Sequence, residues 1–208
     1  MFSNLSTNLR TSNNDISYIQ RCAGVPDSVL VYVLSQLPHL RELRLKGAPS
    51  TAIPHILANL PNLVSLDTEY LGSSIYRPSD EPLPCLKRLT VRTSSVDLQG
   101  PQQLWVWLRQ LIPVPSLESF VLNAFSLQGQ TTIPRNFLLA LANTHGNTLR
   151  RFLVNMTQLT LEDIACLCTL FPLLEELSCA VASPDAVRGS LASRTHSDLL
   201  WSVWSWGR

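Results

Sequence analysis

Four histidines, five cysteines and a few adjacent acid or aromatic pairs are the side chains through which this chain could do chemistry. The histidines stand at positions 39, 55, 145 and 196. None lies at a triad or metal-ligand spacing from another, so each reads as a surface or turn residue. Cys22, Cys85, Cys166, Cys168 and Cys179 are an odd, scattered set and read as reduced thiols of a cytoplasmic or nuclear protein. Cys166 and Cys168 fall on one predicted helix about 200° apart around its axis, too far round to clamp a single zinc ion, and one of them is expected to face the core. Glu175 and Glu176 fall in a predicted strand, where neighbours point to opposite faces and cannot form a working dyad. Trp105 and Trp107 read as packing residues, because a base-stacking site needs basic neighbours and only Arg109 is close by. There is no phosphate-cradling glycine loop, nucleophile elbow or dinucleotide turn, and glycine occurs only eight times. No catalytic, cofactor or metal residue is assigned, and the chain is expected not to be an enzyme.

Composition points the same way. Of 208 residues, 45% are hydrophobic and 38 are leucine. Charged residues reach only 15%, against roughly 25% in ordinary globular chains. That balance argues for a packed core and against disorder. A net charge of +1 gives no broad footprint for nucleic acid or an anionic bilayer, so neither is expected as a partner. No apolar run approaches the roughly 18 residues that a membrane span needs. Residues 1–20 are rich in Ser, Asn and Thr and do not read as a secretory signal.

The elements that would position these residues are set by a repeat. The phrase Leu37-Pro38-His39-Leu40-Arg41-Glu42-Leu43-Arg44-Leu45 returns from Leu60, from Leu83, from Val114, more loosely from Gly146, and from Phe171. Its anchor leucines are 40, 63, 86, 117, 149 and 174, at steps of 23, 23, 31, 32 and 25 residues. Three of those steps lie within the leucine-rich-repeat range of about 20–29.

Between the phrases the pattern turns helical. Helices are predicted from Pro26-Asp27 to Gln36, from Ser50 or Thr51 to Leu60, over Gln102–Leu111, Pro134–Thr144 and Thr160–Leu170. The last opens with Thr160-Leu161-Glu162-Asp163, a capping box with Asp in the usual Glu place. Each unit is a strand, a turn, a helix and a return. One unit cannot bury its apolar face alone, so units must stack. Each buried leucine then contributes roughly 1.5–3 kcal/mol.

These phrases resemble the leucine-rich repeats of the ribonuclease-inhibitor-like class, and more narrowly the irregular repeats of fungal F-box/leucine-rich-repeat proteins. Leu159–Ala165 followed by Phe171–Leu177 is the nearest match, similar to the cysteine-containing repeats that follow F-boxes. The resemblance implies an α/β solenoid with parallel strands on a concave face and helices on a convex face. The repeat consensus places Asn or Cys three residues after the second strand leucine. Here those sites hold Ala48, Leu71, Ser94, Phe125, Thr157 and Ala182, so the turn must close by other means. Residues 25–34 resemble an F-box first helix, but the later helix with its basic-x-Trp ending is missing, and residues 37–60 fit a repeat.

The expected organisation is a polar N-terminal segment or incomplete cap over 1–24, about six irregular repeats over 25–182, and an irregular Ser/Trp-rich tail over 183–208. The tail is either a C-terminal cap or a foreign extension. Residues flanking the inward strand leucines should point out on the concave face. Arg44, Lys46, Asp67, Glu69, Arg88, Arg92, Val121, Asn123, Arg151 and Leu153 are assigned as partner-binding residues on that face, with Val121 and Leu153 an apolar spot ringed by polar groups. The expected function is protein binding. The F-box resemblance implies the substrate-recognition part of a ubiquitin-ligase receptor, with a ubiquitination substrate as partner and the ligase adaptor only if an F-box is present. The alternative is a repeat scaffold or regulatory protein unrelated to ubiquitin.

Overall fold

The computed structural model describes residues 9–12, 16–19, 22–72, 83–93, 102–124, 133–181 and 201–205. Among these residues nine strands form one sheet in sequence order: β1 (Leu9–Ser12), β2 (Ile16–Ile19), β3 (Glu42–Leu45), β4 (Ser65–Tyr70), β5 (Arg88–Thr93), β6 (Ser119–Ala124), β7 (Arg151–Leu159), β8 (Glu176–Val181) and β9 (Trp201–Ser205). β2 to β8 run parallel, while β1 and β9 run antiparallel to their neighbours. Helices α1 (Asp27–Ser35), α2 (Ala52–Ala58), α3 (Gln102–Leu111), α4 (Arg135–His145) and α5 (Leu161–Leu170) alternate with the strands. The fold is therefore α/β, and all five helices fall within a residue or two of the helical periods in the sequence.

The local signals act as their chemistry dictates. Pro26 stands just before α1, and its carbonyl accepts from Val29 and Leu30. Pro54 sits in the first turn of α2, where no intrahelical donor is lost. At α5 the Thr160 hydroxyl accepts from the Asp163 amide at 3.1 Å and the Asp163 carboxylate accepts from the Thr160 amide at 3.2 Å. That reciprocal bond is the capping box the sequence outlines.

The core lies between the helices and one face of the sheet. Direct partners across β3 to β8 are Leu43, Leu66, Leu89, Phe120, Phe152 and Leu177, all buried. A second inward row holds Thr68, Val91, Leu122, Val154 and Cys179. Anchor leucines 40, 63, 86, 117 and 149 are buried, and Leu174 is half-buried against the same core. Backbone bonding repeats with them. The carbonyls of Arg41, Val64, Lys87, Glu118 and Arg150 each accept two amides from the start of the next strand, at 2.7–3.0 Å. Polar residues one place before an anchor leucine tie the rungs further: Asn62 donates to the Pro38 carbonyl, Ser116 to Leu86 and Thr148 to Leu117.

The turn after β3, which lacks the consensus Asn or Cys, closes through the next rung. Gly47 adopts φ +76, and its amide donates to the Glu69 carboxylate at 2.8 Å. A Cβ at Gly47 would stand a tight 3.1 Å from the Ala23 amide nitrogen, which adds to the preference for glycine that the positive φ sets. Ser50 accepts the Leu71 amide on its hydroxyl and the Trp107 indole N–H on its carbonyl. Of the other consensus sites, Thr157 is buried, while Ser94, Phe125 and Ala182 lie outside the described residues.

Three features depart from the repeat as read in the sequence. β2 and β9 lie outside residues 25–182, so the sheet runs into both flanking segments, and residues 201–205 of the expected tail are strand. The remainder of that tail, residues 183–200 and 206–208, and His196 with it, lies outside the described residues. β7 carries three residues, 155–157, between Val154, which pairs with Cys179, and Gln158, which pairs with Ala180. Beyond that register shift Ala180, the partner of Gln158, is buried.

Candidate functional site: the outer face of the sheet

Outward residues alternate with the buried rows and fall into register across the strands. The first outer row is Glu42, Ser65, Arg88, Ser119, Arg151 and Glu176. The second is Arg44, Asp67, Thr90, Val121, Leu153 and Ser178. Glu69, Arg92 and Asn123 form a third. Lys46 follows β3 and is exposed. The sheet thus brings nine of the ten assigned residues into these three rows. Val121 and Leu153 are direct partners, both half-buried, with Thr90 on one side and Ser178 on the other.

Most of the assigned charges already have partners within the chain. Arg92 grips the Asp67 carboxylate with two nitrogens, at 2.5 and 2.6 Å, and Arg44 approaches the same group at 3.0 Å. Arg88 reaches past β4 to Glu42 at 2.5 Å. Arg151 pairs with Glu176 at 2.7 Å. Along the strand entries Lys87 pairs with Glu118 at 2.8 Å, and Arg150 pairs with Glu175. Glu69 is engaged by the Gly47 amide. Asp67 and Glu69 are among the assigned residues, whereas Glu42 and Glu176, which hold Arg88 and Arg151, are not. The aligned phrases carry the signal for these two, because they place Glu42, Arg88, Arg151 and Glu176 in one column.

The remaining candidate groups divide between core and surface. His145, expected at the surface or in a turn, is buried at the end of α4. Its Nδ1 accepts the Leu117 amide at 3.3 Å and its Nε2 donates to the Ile112 carbonyl at 3.0 Å. Only the neutral imidazole protonated on Nε2 makes both bonds. Burial lowers the histidine's pKa, opposed by the bond to Ile112. His39 and His55 are exposed. Neither Cys166 nor Cys168 is in the core: Leu167 between them takes that place, leaving Cys166 half-buried and Cys168 exposed. Burial pushes the thiols of Cys22 and Cys179 up to about 11. Trp105 packs against Phe137, ring centroids 4.7 Å apart, and Trp107 against Tyr70 at 5.2 Å.

Among the described residues no three His, Cys, Asp or Glu side chains group as metal ligands, and no helix is long and apolar enough to cross a membrane. No protein-family model matches the chain, and no curated protein matches its sequence.

Proposed function

We propose that the chain is a leucine-rich-repeat module of the ribonuclease-inhibitor-like class that binds another protein on the outer sheet face and carries out no catalysis. The observation that carries this reading is the Val121–Leu153 pair. Two apolar side chains stand as direct neighbours where the other positions of the three outer rows from β3 to β8 are polar or charged, while the register sets Ile16 of β2 and Val203 of β9 further out on the same face. An apolar centre with a polar rim is the usual anatomy of a protein contact. The F-box resemblance makes a ubiquitin-ligase receptor one form of this function. β3 and α2 occupy the stretch after residues 25–34, which supports reading α1 as a repeat helix and leaves the repeat scaffold unrelated to ubiquitin as the second form of the function.

The experiment is crosslinking and partner capture in the native cell with the wild-type chain and Val121→Asp/Leu153→Asp. Loss of the captured partner at an unchanged melting temperature supports the surface. Equal capture by both proteins refutes it. Recovery of the ligase adaptor supports the receptor form, and a partner set without it supports the scaffold form.

A further inference from the structure

Charge is distributed unevenly over the outer face. The outward positions of β5, β6 and β7 in the three rows carry Arg88, Arg92 and Arg151 and no carboxylate. The carboxylates that pair with them sit on β3, β4 and β8, at the flanks. Along the first row the order is acid, serine, arginine, serine, arginine, acid. The Val121–Leu153 pair lies one row further along the strands, beside the two arginines.

The three arginines are not held alike. Arg92 and Asp67 are each about three-quarters covered and joined by two contacts. The side chains of Arg88 and Arg151 are both 52% exposed, and those of Glu42 and Glu176 are 42% and 33% exposed. Ion pairs that open to water contribute little, so an incoming carboxylate can replace Glu42 or Glu176 without a large loss. Arg88 and Arg151 stand two strands apart, roughly 10 Å, on either side of the nearly buried Ser119. The apolar pair is two residues further along its strands, roughly 7 Å away.

We infer that the face selects a partner segment that sets an acidic side chain about 7 Å from an apolar anchor, the acid exchanging onto Arg88 or Arg151 while the anchor covers Val121 and Leu153. This inference rests on the outer face being the docking surface. Arg92 stays with Asp67, the most covered of these pairs, and takes no part in the exchange. Glu42 and Glu176 act as internal competitors, so a neutral or basic segment gains nothing by displacing them.

The test is selection of a phage-displayed random peptide library on the immobilised full chain, followed by titration of the selected peptide in solution. The expected consensus pairs Asp or Glu with an aliphatic or aromatic residue. Arg88→Gln/Arg151→Gln should weaken its binding about tenfold, the effect of losing a charge-assisted contact. Glu42→Gln/Glu176→Gln should tighten it severalfold, which a purely structural role for these residues would not produce. A consensus without acid, or affinity unchanged in both charge variants, overturns the inference while leaving the docking surface standing if Val121→Asp/Leu153→Asp still abolishes binding. Enrichment no better than on the Val121→Asp/Leu153→Asp protein overturns both.

Discussion

The guanidinium of Arg92 and the carboxylate of Asp67 face each other across neighbouring strands, joined at 2.5 and 2.6 Å, with Arg44 closing on the same carboxylate from the other side. One negative charge therefore holds two positive ones on three successive strands. Asp67→Asn leaves Arg44 and Arg92 facing each other without it. The group is about a quarter exposed, so solvent screens part of the loss, and a destabilisation of roughly 1 kcal/mol is expected. Urea titrations at low and high salt check this. The deficit should shrink as salt screens the repulsion, and a salt-independent deficit would contradict the electrostatic account.

His145 should make the fold sensitive to mild acid. Its pKa is lowered in the folded state from 6.5, so between the two values the unfolded chain binds the extra proton. Its contribution is complete above 6.5 and drains away as pH falls from there toward the folded value. The slope is at most about 1.4 kcal/mol per pH unit. Urea midpoints of wild type and His145→Asn, compared from about pH 7.5 to about pH 5.5, test the assignment. Equal acid slopes for the two proteins would remove His145 as the cause.

Thr68 sits in the inward row beside Val91, fully buried, and its hydroxyl has no hydrogen-bond partner. The row is otherwise made of apolar residues and Cys179, so the hydroxyl is desolvated with nothing in return. Thr68→Val keeps the shape and removes that cost, and should stabilise the protein by about 1 kcal/mol. A lower thermal midpoint for the variant would show that the hydroxyl has a role the static packing does not display.

The five cysteines should separate by reactivity. In the folded protein Cys85 and Cys168 are exposed and should be alkylated first, Cys166 more slowly, and Cys22 and Cys179 only on unfolding. Mass mapping after a brief labelling pulse reads the order. The same burial has an alkaline consequence. With folded pKa values of about 11 against 9.0 unfolded, the two buried thiols stabilise fully below pH 9.0 and lose that contribution as pH rises toward 11. Prompt labelling of Cys179 in the native state would mean that the last rung opens far more readily than its packing implies.

How far the sequence was readable depended on whether a residue's role is local or relational. The inward rows follow from spacing alone, because Leu43, Leu66, Leu89, Phe120, Phe152 and Leu177 occupy one place in one phrase. The helices followed from their periods and from Pro26, Pro54 and the Thr160–Asp163 box. Residues whose state is set by another strand were misjudged. His145 looks like the polar end of a helix, yet the strand approach that precedes it supplies Leu117 and Ile112 to both ring nitrogens. The arginines assigned to a ligand are held by acids 23, 25 or 46 positions away in the chain. The three-residue excursion in β7 has no proline or glycine to announce it. β1, β2 and β9 carry no copy of the phrase, so pairing alone reveals them.

The reversed direction of β1 and β9 bears on what the molecule does in a crowd of its own kind. A coil of identical rungs is in principle endless: each end offers the template on which another copy's end could continue the series, and head-to-tail addition builds rods. Among the described residues the outermost strands reverse the direction of the seven between them, so a second copy added end to end would set β1 beside β9 as a parallel pair of reversed strands. Such a joint would interrupt the uniform order of β2 to β8 and would be a seam unlike any pairing inside the sheet.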